Sequence, residues 1–203
     1  MISVYVEGDT DIPFVQALCK KAGFEVREPI FDAGGKTTLD PKLLGLARAA
    51  AGAPYLVLRD LDHDAPCASA WLKGHAPSAP GRFFALRLAV RAVESWFLAD
   101  AVTAASALHV PVTQIPHDPD AEHDPKTRIV TLARKSTKPD IRKRLVPKPG
   151  AKRKAGPEYE TWLIQSAARW KLERAHDRSP SLRKALAALV RLREDVCVWE
   201  AGT

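Results

Sequence analysis

Cysteine is scarce in this chain. Cys19, Cys67 and Cys197 are odd in number and far apart, which argues against a disulfide framework and points to a reducing, cytoplasmic setting. Long apolar runs are missing as well. No stretch approaches the roughly 18 residues that a membrane helix requires, so no membrane partner is expected. The N-terminal "MISVYVEGDTD" has no basic leader and only a very short apolar run, so no signal peptide is expected either. There is no internal repeat. Acids are nearly absent from one segment. Residues 126–154 carry twelve Lys and Arg against Asp140 alone. That segment is +11 in a chain of net charge +7, so the remainder is −4. A basic balance of this kind suits a polyanionic partner and says nothing about fold.

What is present suffices for one sizeable core: 203 residues, 46% of them hydrophobic. "ISVYV" (2–6) alternates like a strand. In "TDIPFVQALCKKAG", Phe14, Val15, Leu18 and Cys19 fall at helical spacing, with Gly23 as a C-cap. "FEVREPIF" (24–31) reads as a second strand, and its Pro29 suggests a sheet edge. Residues 39–52 read as a helix capped by Asp40, with Pro41 at its first position. "PYLVLRD" (54–60) and "RFFALRLAV" (82–90) are two further strands, and "VESWFLADAVTAASAL" (93–108) reads as one apolar helix. The alternation of strand and helix predicts a mostly parallel four-stranded α/β sheet between helices over 1–110. Residues 111–203 form a second part: a Pro- and Asp-rich loop, the basic segment with a helix near 126–136, and helices over 158–175 and 179–195.

The third strand leaves in "RDLDHD". In an extended chain, residues two apart point the same way. Asp60 and Asp62 therefore share a side, and Asp64 joins them. Parallel sheets bind ligands outside the carboxyl ends of their strands. Glu7 closes the first strand at the same end, Gly8 allows a tight turn there, and Asp11 lies in the first turn of the next helix. So many carboxylates repel one another unless a cation sits among them, and hard oxygen ligands suit Mg²⁺ or Mn²⁺. For any single acid, a solvated cap or turn former is the competing reading.

Rival motifs fail on spacing. Counted from Asp60, a calcium loop would need Gly and Glu where Ala65 and Trp71 stand. A phosphatase-type Asp-x-Asp closes the first strand, not the third. "AGGKTT" (33–38) ends like a P-loop, but Ile30 occupies the place of its leading Gly. Lys36 reads as a loop lysine that could meet a phosphate. His63 and Cys67, four apart, are a lone pair and a weak zinc signal.

"VEGDTD" on a first strand followed by "RDLDHD" on a third resembles the TOPRIM fold of topoisomerases, primases and the overcoming-lysogenization-defect (OLD) nucleases. The OLD form, E-G-x-T-E, is matched by Glu7, Gly8 and Thr10, with Asp11 in place of the second Glu. Glu94 in "VRAVESWFLAD" stands where that family has an acid after its fourth strand. "RAVESWFLAD", "HDPKTRIV", "LVPKPG", "GPEY" and "SPSLRKAL" extend the resemblance, over nearly the whole chain, to a TOPRIM-like bacterial family often encoded beside ABC-type ATPases.

The resemblance implies a TOPRIM-like (Rossmann-like) domain acting as a Mg²⁺- or Mn²⁺-dependent endonuclease. Glu7, Asp60 and Asp62 would hold one metal, and Asp11 and Glu94 would help hold a second, with Asp64 also in the metal set. Lys152 or Lys154 would supply the family's late lysine. DNA is the favoured substrate, an ABC-type ATPase the implied partner, and phage defence the implied setting. Topoisomerases use a Tyr outside this domain; Tyr159, the one tyrosine beyond the first 60 residues, reads as buried structure. The basic run assigns backbone contacts to Arg142, Lys143, Arg144, Lys152, Arg153 and Lys154. A second reading stays open, a non-catalytic nucleic-acid-binding or regulatory subunit. A primase-like transferase would need a nucleotide pocket that the sequence does not reveal.

Overall fold

The computed structural model describes residues 1–202. Strand β1 (Ile2–Val6) leads into α1 (Ile12–Lys21), and β2 (Val26–Asp32) follows. A pair of short helices, α2 (Lys36–Leu39) and α3 (Leu43–Ala49), precedes β3 (Tyr55–Asp60). Helix α4 (Ala68–His75) then crosses to β4 (Phe84–Ala89). The four strands pair in the order β2-β1-β3-β4, every pair parallel. The sheet is thus entirely parallel and flanked by helices, as in a Rossmann-like fold. Pro29 does lie on an edge strand, β2.

Chain order runs outward in opposite directions from β1. The crevice between β1 and β3 is therefore the topological switch point, where such sheets bind ligands. Alternation along each strand feeds two cores. Ile2, Val4, Val6, Leu56 and Leu58 face a large core under α1 and the C-terminal helices. Val57, Leu86 and Leu88 face a smaller one with Leu39, Leu43, Leu46 and Trp71.

After β4 come α5 (Val93–Ala99), α6 (Ala101–Leu108), α7 (Pro125–Arg134), α8 (Pro139–Leu145), α9 (Tyr159–Ala167), α10 (Leu172–Ala175) and α11 (Pro180–Ala201). Their apolar faces belong to the same large core as β1 and α1. Trp96, Phe97 and Leu98 are wholly buried, and Trp162 and Trp170 nearly so.

Several expected boundaries differ. The helix expected over 93–108 breaks at Asp100, whose carboxylate accepts the Thr103 N–H and starts α6. The helix expected over 158–175 is interrupted between α9 and α10, where the Lys171 N–H turns to the same Asp100. Asp40 begins a short 3-10 turn instead of capping a helix; Gly35 precedes the helical residues, with Lys36 first. Gly8 does not supply the turn after β1 by conformational freedom. Its backbone is extended, at φ −150°. The turn is closed by Asp11, which accepts the N–H groups of both Glu7 and Gly8 at 3.1 Å.

Candidate functional site

Hydrogen bonds tie the three strand exits together at the switch point. The Asp60 N–H donates to Glu7 Oε2 at 3.3 Å. Asp60 Oδ1 accepts the Val93 N–H at 3.1 Å, which joins β3 to the start of α5. Glu94 follows directly and is 6% exposed; its Oε1 accepts the Tyr159 hydroxyl at 3.2 Å. Asp11 is 2% exposed behind the turn it closes.

The electrostatics show how close these acids are. Burial, and then the charges of Asp11, Glu94, Glu7 and Asp62, push the Asp60 carboxyl well above the usual carboxylate range. Burial also pushes Asp11 up, to about 8, with Glu94 and Glu7 adding to it. Glu7 is raised by burial and by Asp62. Glu94 is raised by burial, against the pull of Lys126 and the Tyr159 hydroxyl. Five carboxylates from three strand ends therefore repel one another in one place.

Asp62 and Asp64 behave differently. The Asp62 backbone is left-handed, at φ 48°, so the extended geometry that would align residues 60, 62 and 64 ends there. Lys36 Nζ lies 2.8 Å from both Asp62 Oδ2 and Asp64 Oδ1. Asp64 also binds Arg59 Nη2 at 2.6 Å. Burial alone would raise the Asp64 carboxyl, but these bonds and charges together hold it below its ordinary value. Asp64 thus faces two cations rather than the buried acids. Arg59 is itself anchored by Asp40 and stacked over Trp71 at 4.5 Å.

A cleft of about 440 Å³ opens over the cluster. Asp60, Asp62, Asp64 and Glu94 line it; Thr10 lines it where Glu7 and Asp11 do not. Lys36, Lys126 and Lys154 line it as well. Lys154 is placed by Asp124, 3.0 Å away, which also caps α7 through the Thr127 N–H. Lys126 stands 4.8 Å above the Tyr159 ring. A second cavity of about 500 Å³ shares Lys126 and Lys154 and adds Arg153. Gly156 holds this loop tightly; a Cβ there would collide with the Arg144 carbonyl.

Other expected residues lie elsewhere. Lys152 is exposed and lines neither cavity. Arg142 donates to the Ser136 carbonyl, and Arg144 pairs with Glu158 at 2.7 Å, so both are tied into the fold. Lys143 is exposed. Sequence reasoning offered Asp124 only as a pairing partner for the basic run, which its contact with Lys154 matches, and it assigned no role to Lys126 or to His123, which stacks on His63 at 4.2 Å beside the cleft. "HDPK" did carry a signal for Asp124, namely an Asp-Pro helix start.

The donor chemistry of the cluster suits a hard divalent cation, because carboxylate oxygens dominate it. Among the described residues, however, no group of three or more His, Cys, Asp or Glu side chains stands in a ready metal-holding arrangement. Asp62 is turned to Lys36 and Glu94 to Tyr159, so ligation would require side-chain rotation.

Fold and site define an α/β protein with a parallel, Rossmann-like sheet and a carboxylate cleft at its switch point. Set against known proteins, the chain matches no family model, no curated protein and no solved structure. Among the described residues, no helix is long and apolar enough to cross a membrane.

Proposed function

We propose that this chain is a Mg²⁺- or Mn²⁺-dependent nuclease of TOPRIM type acting on DNA. One observation carries the reading: Asp60, at the switch point, is surrounded by the carboxylates of Glu7, Asp11, Asp62 and Glu94. A folded protein has little reason to gather five repelling acids at a ligand crevice unless a cation joins them.

Glu7, Asp60 and Asp62 would hold the ion, with Asp11 and Glu94 near a second position. Such an ion supplies an activated water and neutralises charge on the leaving oxygen. The chain's own residues do the rest. The Val93 N–H and the contact between Glu7 and the Asp60 N–H fix Asp60 in orientation. Lys126 and Lys154 line the cleft and offer positive charge to a phosphate. Lys36, once Asp62 rotates away from it, brings a third cation to the same oxygens. Lys126, Lys154 and Arg153 continue into the adjoining cavity and provide a track for the next phosphates.

A non-catalytic nucleic-acid-binding or regulatory role is the second reading. The absence of a ready three-ligand arrangement among the described residues favours it. Cleavage of plasmid DNA with Mn²⁺ distinguishes the two. Wild type should nick or linearise the plasmid, EDTA should stop it, and Asp60→Ala should lower the rate at least a hundredfold. Equal rates in wild type and variant would assign the activity to a contaminant and leave the second reading. The family resemblance adds an ABC-type ATPase as partner. Co-expression with an ATPase encoded beside this chain should give a complex that survives size exclusion at micromolar concentration; clean separation would remove the partner from the proposal.

A further inference from the structure

A cavity of about 890 Å³ lies apart from the carboxylate cleft. It lies between the start of α4, the outer edge of β4 and the first turns of α11. Its volume is within the range of small-molecule sites. Leu72, Leu88, Val90 and Ala185 give it apolar walls. Into these walls come four cations: Arg87, Arg91, Lys184 and Arg191.

Two of them, Arg87 and Arg191, line the same cavity, and neither has an ion-pair partner among the described residues. Arg87 is half-buried, and its guanidinium makes one hydrogen bond, from Nε to the Leu86 carbonyl at 2.6 Å. Burial and the Arg191 charge press it below the ordinary arginine value. Lys184 and Arg191 have no ion pair among the described residues. Two acids, Asp118 and Asp120, also line the cavity, but neither pairs with a cation among the described residues, and both accept neutral donors. Asp120 accepts the Ser179 hydroxyl and the Ser181 N–H, both at 2.8 Å, and Asp118 accepts the Ala121 N–H. Arg91 is engaged with the carbonyls of Asp62, Ala65 and Pro66.

A half-buried arginine beside a second arginine, with no acid partner, destabilises the empty protein and favours an anion. The apolar walls favour an anion that also carries a flat or aliphatic body. We propose that this cavity binds a nucleotide, with its phosphates on Arg87, Arg191 and Lys184 and its base against the Leu72–Leu88–Val90 wall. The site is separate from the carboxylate cleft, but Arg91 lines both cavities. Its guanidinium holds the carbonyl of Asp62, so occupancy here bears directly on the loop that carries that acid.

The full chain, in EDTA and without DNA, provides the test, so the nuclease reading does not enter it. ATP is titrated by calorimetry against wild type, Arg87→Ala, Arg191→Glu and the control Lys20→Ala, an exposed cation that lines none of the three cavities. Each of the first two variants should raise the Kd roughly tenfold or more, as expected for losing charged hydrogen bonds, and the control should not. Arg191 is exposed, so its variant should keep the melting temperature of wild type. Cys67 gives a second readout. It is exposed and lines this cavity, whereas Cys197 is exposed elsewhere and Cys19 is buried. ATP should slow alkylation of Cys67 and leave Cys197 unaffected. Tripolyphosphate binding as tightly as ATP would overturn the role of the apolar wall. No binding of ATP at millimolar concentration, or binding that ignores both arginine variants, would overturn the site and leave these cations to an acidic protein partner.

Discussion

Asp60 shows what the acid cluster costs a protein without metal. Its carboxyl is raised by burial and by four other acids, so the folded state holds protons that the unfolded chain would release near pH 4. The same applies to Asp11, pushed up to about 8. Where a group's folded pKa lies above its unfolded value, the unfolded chain binds fewer protons between the two, and stability falls as pH rises through that window. The melting temperature in EDTA should therefore drop between about pH 5 and 8. Asp11→Asn, which keeps an acceptor for the Glu7 and Gly8 N–H groups, should flatten the drop. Mg²⁺ should restore the loss near pH 8 by mass action, worth about 2.7 kcal/mol at a hundredfold excess over Kd. Asp60→Asn should be no less stable than wild type in EDTA and should lose most of the Mg²⁺ response. Equal Mg²⁺ responses in wild type and Asp60→Asn would place the ion elsewhere. Glu7, Asp11 and Asp60 could be read from strand ends and the turn after the first strand, and Glu94 only from the family resemblance. The different fate of Asp64 could not. It depends on a left-handed Asp62 and on Lys36 and Arg59, and the two-residue period of a strand holds only while the chain stays extended.

Strands follow from short apolar, β-branched runs, which is why all four were legible, whereas their order β2-β1-β3-β4 was not read from the sequence. Helix ends were less legible. "VESWFLADAVTAASAL" keeps helical spacing throughout, and nothing local announces a break. The break comes from 74 residues away: Arg174 binds Asp100 through Nε and Nη2, each at 2.7 Å, while Asp100 also accepts the Thr103 and Lys171 N–H groups. One fully buried carboxylate thereby starts α6, shapes the entry to α10 and holds the two together. Against the effect of burial, these donors keep its carboxyl below the usual range. Asp100→Ala leaves several donors without an acceptor and should cost roughly 2–4 kcal/mol. At this chain length that corresponds to roughly 2–4 °C in Tm for each kcal/mol. The sign with pH is opposite to that of the cluster. A depressed carboxyl stabilises above its unfolded pKa, and that stability is lost as pH falls through the folded value. Wild type should lose its advantage over Asp100→Ala below about pH 4. An unchanged Tm at neutral pH would show that water or a neighbour replaces the carboxylate.

Charge is divided across the whole molecule, and the fold decides how much of the basic run is available. Of the acids in the loop before α7, only two serve it: Glu122 lies 3.6 Å from Arg128, and Asp124 pairs with Lys154. Asp120 and Asp118 go to other groups. Within the run, Arg142 and Arg144 hold the fold. Lys143, Lys152 and Arg153 are exposed, and Lys154 is exposed despite its pair. Of the exposed cations of the run, Arg153 and Lys154 line the cavities beside the carboxylates, and Lys152 adjoins them in sequence. Exposed cations of this kind bind a phosphate backbone through counterion release, with a slope of about −0.9 in log K against log salt for each phosphate neutralised. Replacing Lys152, Arg153 and Lys154 with Ala should flatten the slope on duplex DNA by roughly two to three units. Tm should hardly move, since an exposed pair such as Lys154–Asp124 contributes about 0–1 kcal/mol. Arg144→Ala should do the reverse, lowering Tm by breaking its contact with Glu158 while changing the slope by less than one unit. Fluorescence anisotropy on a labelled duplex over a salt series measures both. If the triple variant keeps the wild-type slope, the 152–154 loop does not touch DNA, and its charge is left free to dock a protein partner.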